Sequence, residues 1–248
     1  LGRVSLSLWV RGVGVSGRVG VLGALAAEVA ALEGVLSGLS EAEAGLATRC
    51  APWDVAALAA HTVGAVVRVE GMLVTEAPEG ALVSAAGYYS PDARFSVEVN
   101  RERVDSAVEA AARRADAGEP GRVLRERWAV LEPVLRGASA GRTVVTRHGD
   151  PMLLSEFLVT RVVEVVVHGL DLADALGREP WTTGRGLDVV RGLLFGSADA
   201  EALEGVFPGA LSERGAGLAA VRAVTGRAGS GGGRVALEEA GVRFLALG

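Results

Sequence analysis

The chain contains no lysine, no isoleucine and no glutamine, and all 25 of its basic residues are arginines. Ala, Gly, Val, Arg and Leu take the vacant places. This is the residue set of GC-rich codons, so it describes a high-GC, actinobacterial genome more than a fold. A single cysteine, Cys50, excludes an internal disulfide framework and a zinc site made of cysteines alone. It fits a reducing cytoplasm. A net charge of −5 without a dense basic block argues against nucleic acid as the main partner. No internal repeat is visible. The nearest approach to a membrane span, Val19–Leu36, carries Glu28 and Glu33, so a membrane partner is not expected either. The opening residues 1–18 mix a short apolar run with Arg3, Arg11 and Arg18, unlike a signal peptide, and read as a poorly ordered leader.

What is present is mostly helical periodicity. Leu22, Leu25, Val29, Leu32 and Leu36 recur at helical spacing within 19–39. After a short turn or helix in SEAEAGLA, TRCAPWD marks a second start. Asp54 is its N-cap, and Trp53 and Leu58 stand at the two positions of a hydrophobic staple. The spacing predicts a helix over 55–75. The Gly-, Pro- and Ser-rich residues 76–95 form a loop long enough to suggest a functional role. Helices are expected over 96–116, 122–136 and 153–176, the last closed by Gly177. RTVVT, between the last two, is the one short strand or extended segment expected there. Beyond 180, GLDVVRGLLFG and GAGLAAVRAVTGR look helical, GSGGG is a break and GVRFLALG a candidate terminal strand. The expected organisation is a leader (1–18), a helical bundle (19–180) and a smaller C-terminal region (181–248), helical or α/β.

The three histidines are His61, His148 and His168. Alone, His61 beside a core stripe is more often a packed residue than a ligand, and Glu164 and His168, four apart, form a common helix pair. Yet Val162, Val163, Val165, Val166 and Val167 surround that pair. A helix apolar on nearly every face is central, so both polar groups face inward, where a carboxylate requires a cation or several donors. With His61 from a facing helix, the set becomes His2Glu. Such a set leaves a coordination position open, as in catalytic zinc sites, and also suits iron.

CAPWDVAALAAHTVG and EVVVHGLDLADALG resemble the two metal-binding segments of the mycothiol-dependent maleylpyruvate isomerase family, within the DinB-like superfamily, and HGDPMLLSEFL resembles the segment before the second. The resemblance spans roughly 20–180. It implies a mainly α, DinB-like four-helix bundle holding a divalent metal, usually zinc, on His61, Glu164 and His168. His148 falls outside that set and reads as a loop residue near the mouth. Asp171 is either an acceptor for an imidazole N–H or a surface carboxylate. Two departures stand out. Cys50-Ala51-Pro52-Trp53 replaces Cys-Pro-Gly-Trp, and 180–248 does not align with the family's second domain, for whose functional arginine Arg222 and Arg227 are the candidates.

The expected activity is that of a metal-dependent isomerase or S-transferase. Its metal-held, mycothiol-like thiol attacks an electrophilic small molecule, with Arg161 as an anchor for an anionic substrate. Alternatives are a non-catalytic metal or small-molecule binding module and a metal-assisted hydrolase. Cys50 is expected to be a small packing residue, dispensable if the working thiol is exogenous.

Overall fold

The computed structural model describes residues 18–90, 96–228 and 234–245. The leader before Arg18, the GSGGG break at 229–233 and residues 246–248 lie outside the described residues. Helix α1 (Arg18–Leu36) buries the stripe Leu22, Leu25, Val29, Leu32 and Leu36. The short α2 (Glu41–Ala44) is closed by a capping box between Ser40 and Glu43. Helix α3 (Val55–Val67) begins at Asp54, whose carboxylate accepts the Ala57 N–H at 2.8 Å. Trp53 and Leu58, the staple pair, are both buried. The helix expected to run on to 75 is interrupted at Arg68 and resumes as α4 (Val69–Val74). Among the described residues, Val55–Val74 is also the stretch long and apolar enough to cross a membrane by length and composition alone. Here α3 packs against other helices of the protein.

The expected loop contains a turn of helix, α5 (Ala85–Tyr88), capped by Ser84. The loop is pinned at two points. Val83 N–H donates to the Pro151 carbonyl at 2.9 Å, and the Glu156 carboxylate accepts the Ala85 N–H at 2.8 Å. Then come α6 (Val97–Ala112) and α7 (Glu119–Gly137). The strand candidate is β1 (Thr143–Val145), and its partner β2 (Pro151–Leu153) runs antiparallel with Val144 opposite Met152. The turn between them uses Gly149 at φ 86°. Helix α8 (Leu154–Leu176) follows directly and ends at Gly177 in the left-handed region, φ 61°.

Four helices form the bundle: α1 packs on α7 and α8, and α3 packs on the same two from the other side, with α6 laid against α3. Helix α8 is the axis. Almost every side chain from Phe157 to Ala173 is buried, charged ones included, as its valine-rich sequence implies. The rest of the chain is helical: α9 (Gly184–Phe195), α10 (Ala200–Val206), α11 (Arg214–Val224) and α12 (Arg234–Glu239). α9 docks on α1 and α8, and α11 docks on α9. The expected terminal strand is absent among the described residues. Arg243 N–H bonds the Leu194 carbonyl at 2.9 Å, which ties the segment to α9 rather than to a sheet.

The α1–α7 crossing is set by a glycine. A Cβ on Gly121 would collide with the backbone nitrogen and hydroxyl of Ser37, whereas one on Gly34 would meet nothing within 4 Å. Gly121→Ala is therefore expected to cost about 1–3 kcal/mol by overpacking. Gly34→Ala should be neutral or stabilise by up to about 1 kcal/mol. Urea unfolding of the two variants measures the contrast; equal effects would show that the crossing tolerates a side chain.

Candidate metal centre

Helices α3 and α8 face each other, and their contact brings the three expected ligands together. His61 lies two turns into α3, and Glu164 and His168 lie one turn apart on α8. Glu164 Oε2 stands 3.7 Å from His61 Nε2 and 3.4 Å from His168 Nε2. One ligand atom from each of the three residues falls within 4.8 Å of the others. All are sheltered, with side-chain exposures of 9%, 15% and 6% for His61, Glu164 and His168. Trp53 stacks on His61 with ring centroids 4.6 Å apart, so the staple at the start of α3 also fixes the plane of its histidine.

Electrostatics separate the two histidines. Burial lowers the pKa of His61 to about 4, only partly opposed by Glu164, which leaves a neutral imidazole. Burial also disfavours charge on His168. There Asp171, the Cys50 thiol and Glu164 together outweigh it and raise the pKa to about 10. Glu164 is pushed up by burial and pulled down further by both histidines and Arg161, so its carboxyl stays ionised. Without a metal, a proton on His168 therefore supplies the positive charge between two carboxylates. Two imidazole nitrogens and a carboxylate oxygen converging in this way fit a divalent ion, which would take over that role.

The other side of His168 is held just as firmly. Asp171 Oδ2 lies 3.1 Å from His168 Nδ1, so Asp171 is an imidazole partner and not a surface carboxylate; it is fully buried. Arg227 grips both its oxygens, Nε to Oδ1 at 2.8 Å and Nη2 to Oδ2 at 2.7 Å. These contacts hold the Asp171 pKa at about 2 against its burial. Of the two arginines in VRAVTGR, then, Arg227 reaches the site. Arg222 pairs instead with Asp174, Nη2 to Oδ1 at 2.8 Å, in a partly exposed bridge. Gly226 decides between them: its φ of 72° turns the chain back after α11. Arg49 then clamps that turn, donating to the Arg227 and Gly226 carbonyls at 2.6 and 2.8 Å. Cys50 is half-buried and donates its S–H to Asp171 Oδ2 at 3.3 Å. It is thus more than a packing residue, and it sits behind His168, away from the Nε2 side.

A cavity opens beside Glu164 and His61. Arg68 at the end of α3, Arg103 on α6, Arg147 and His148 in the hairpin turn, and Arg161 on α8 line it, so His148 does lie at the site. Arg161 is buried, with its guanidinium 4.6 Å from the Phe157 ring and Nη1 donating to the Ala65 carbonyl at 3.2 Å. Its Nη2 lies 4.0 Å from Glu164 Oε1. Tyr89 donates its hydroxyl to the Thr160 carbonyl at 3.0 Å, with Glu164 Oε1 at 3.4 Å. Sequence reasoning missed Tyr89, Arg49, Arg68, Arg103 and Arg147. The length of the loop around Tyr88 and Tyr89 was the one available signal.

The sequence pattern of the mycothiol maleylpyruvate isomerase N-terminal domain family matches residues 25–173, more than half of the 248-residue chain. The chain belongs to that family. Among solved structures, it matches the crystal structure of the mycothiol-dependent maleylpyruvate isomerase at 16% identity and a TM-score of 0.49. That match covers 86% of this chain and 91% of the other. No curated protein sequence matches. The family's pattern takes in His61, Glu164, His168 and Asp171 but stops short of Arg227.

If Asp171 orients His168, Asp171→Ala should lower metal affinity about 10- to 100-fold. It should also cost about 3–5 kcal/mol by leaving the Arg227 charge buried and unpaired. Arg222→Ala should leave metal affinity unchanged and cost no more than about 1 kcal/mol. Equilibrium dialysis and denaturant unfolding read the two effects; equal metal affinity in wild type and Asp171→Ala would return Asp171 to a purely structural role.

Proposed function

We propose that the protein is a metal-dependent enzyme that works with a low-molecular-weight thiol of the mycothiol kind, as an isomerase or an S-transferase acting on an electrophilic small molecule. One observation carries the reading. In a chain of this family, two imidazoles and a carboxylate from facing helices converge, and two of the three, His61 and Glu164, line an arginine-rich cavity. His61, Glu164 and His168 would hold the metal through Nε2, a carboxylate oxygen and Nε2. Zinc suits this donor set best. The chemistry a divalent ion supplies there is to lower the pKa of a thiol and hold its thiolate.

The chain's own residues do the remaining work. Asp171, fixed by Arg227, engages His168 Nδ1, so the Nε2 lone pair is directed toward Glu164 and His61. Trp53 holds the His61 ring and covers it from water. Arg161 steadies Glu164 and, with the other cavity arginines, binds a negatively charged group on the electrophile. The thiolate then adds to one carbon of a double bond conjugated to a carbonyl, and the π pair moves onto the carbonyl oxygen as an enolate. In isomerisation the former double bond, now single, rotates, and the enolate pair re-forms it as the thiolate leaves; in transfer the enolate carbon takes a proton from solvent and the C–S bond stays. We assign the enzyme to the cytoplasm, with soluble small molecules as its partners and neither nucleic acid nor membrane among them.

Purified protein should carry about one divalent ion per chain. His61→Ala and His168→Ala should lose most of it, and Glu164→Gln less, because an amide oxygen still coordinates. In the cobalt(II)-substituted protein, added mycothiol should produce a thiolate-to-metal charge-transfer band, equally in wild type and Cys50→Ser. A metal-loaded protein that gives no such band would rule out the thiol mechanism and leave a binding module or a hydrolase. A band that vanishes in Cys50→Ser would mean that the protein's own thiol is the ligand.

A further inference from the structure

The arginine cavity does not end at His61. It continues along α3 into a second space with which it shares His61, Arg68, Arg103 and Arg147. That space leads past Ala60, Gly64 and Ala110 into a groove between α3, α6 and the start of α7. There the walls become mostly apolar, with Val63, Val67, Pro120 and Val123, and with Arg113, Arg114 and Glu119 also lining the groove. Gly64 stands at the junction, in the middle of α3. A glycine there weakens a helix relative to alanine, yet a Cβ on Gly64 would meet no atom within 4 Å. Gly34 has equally open surroundings, but at Gly64 the open space is the groove itself, which a larger side chain would narrow.

The other end of the channel asks for an anion. Arg161 Nη2 and Arg103 Nε are buried and hydrogen-bond to nothing, and a buried guanidinium N–H without an acceptor is costly. Among the described residues, no carboxylate forms an ion pair with Arg68, Arg103 or Arg147, and Arg161 has only Glu164 at 4.0 Å. Arginine forks match the geometry of carboxylate and phosphate oxygens.

We propose that the electrophile is an acidic amphiphile, with an oxyanion head on the four cavity arginines and a hydrocarbon chain laid along α3 over Gly64. The identification of this ligand as a substrate rests on the thiol-enzyme reading; its binding does not. The head lies next to His61 and Glu164, and the chain leads away from them along α3.

The test is calorimetric titration of the metal-loaded protein with saturated carboxylates from butanoate to dodecanoate, with decyl phosphate to distinguish the head groups. Affinity should rise roughly threefold per added methylene until the groove is filled. Gly64→Leu should abolish that rise while leaving butanoate affinity and metal content unchanged. Gly64→Ala, whose Cβ enters open space, should raise the melting temperature and still weaken decanoate binding. Arg103→Gln should weaken every chain length by the same factor. Affinity that does not depend on chain length, or a rise that survives in Gly64→Leu, would overturn the proposal, as would binding of neither decanoate nor decyl phosphate. If the chain-length rise persists but mycothiol gives no charge-transfer band, the amphiphile site stands and the thiol reading fails.

Discussion

An ionised carboxylate inside the most apolar helix of the protein is the constraint on which the site depends. Glu164 is flanked by valines that have no exposed surface, and burial alone would drive it to protonate. It stays charged because positive groups approach from two directions, His168 along the helix and Arg161 one turn back. His168 is itself held by Asp171, and Asp171 by Arg227. Charge alternates along the row from carboxylate to imidazolium to carboxylate to guanidinium. Such a row is a poor source of net stability, since each member loses hydration. Its contribution is geometric: removing any member leaves a neighbour buried and unpaired, so each pins the next. A divalent ion substitutes naturally for the proton on His168, because the surrounding charges are already arranged around a cation.

That row also explains why the C-terminal helices matter to the site. Arg227 follows α11, which packs on α9, which in turn packs on α1 and α8. The arginine that fixes Asp171 is thus positioned by a stack of helices that ends on the helix bearing Asp171 itself. Arg49, just ahead of α3, closes the loop by bonding the Arg227 backbone. Elements 178 residues apart in sequence are tied at the Arg227 carbonyl, beside the carboxylate that Arg227 grips.

Much of this was legible in sequence where periodicity carries it. The bundle helices, the Asp54 cap, the Gly177 stop and the pairing of Glu164 with His168 follow from spacing within single segments. The helices opposing α3 and α8 could be inferred only through family resemblance, since no spacing rule states which helices touch. The interruption at Arg68 falls between Gly64 and Gly71, but in a chain with 35 glycines neither marks a break, and the apolar spacing predicts one helix to 75. β2 was hidden because PML runs straight into a helix and reads as its beginning. Arg222 and Arg227 lie in one heptapeptide with equal claims; the left-handed turn at Gly226 separates them, and glycine is too common in this chain to mark one position. Of the cavity arginines only Arg161, one turn before Glu164, stands out in the sequence. Arginine is the chain's one strongly basic residue, so Arg68, Arg103 and Arg147 look like the others until separate elements bring them to Arg161.

The position of Cys50 bears on which thiol this architecture can use. Cys50, His168 and Asp171 form a second group with metal-ligating spacing, and it shares His168 with the first. The two groups use opposite nitrogens of one ring. Nδ1 is engaged by Asp171, and Arg227 holds both Asp171 oxygens, so a cation at the second group would have to displace these contacts. The thiol's hydrogen bond to Asp171 makes it part of the support behind His168. A sulfur that is to meet the Nε2 face must therefore come in from the cavity, where arginines and not cysteines line the approach. The geometry makes the chain's own thiol a brace behind His168 and leaves the Nε2 side facing the cavity.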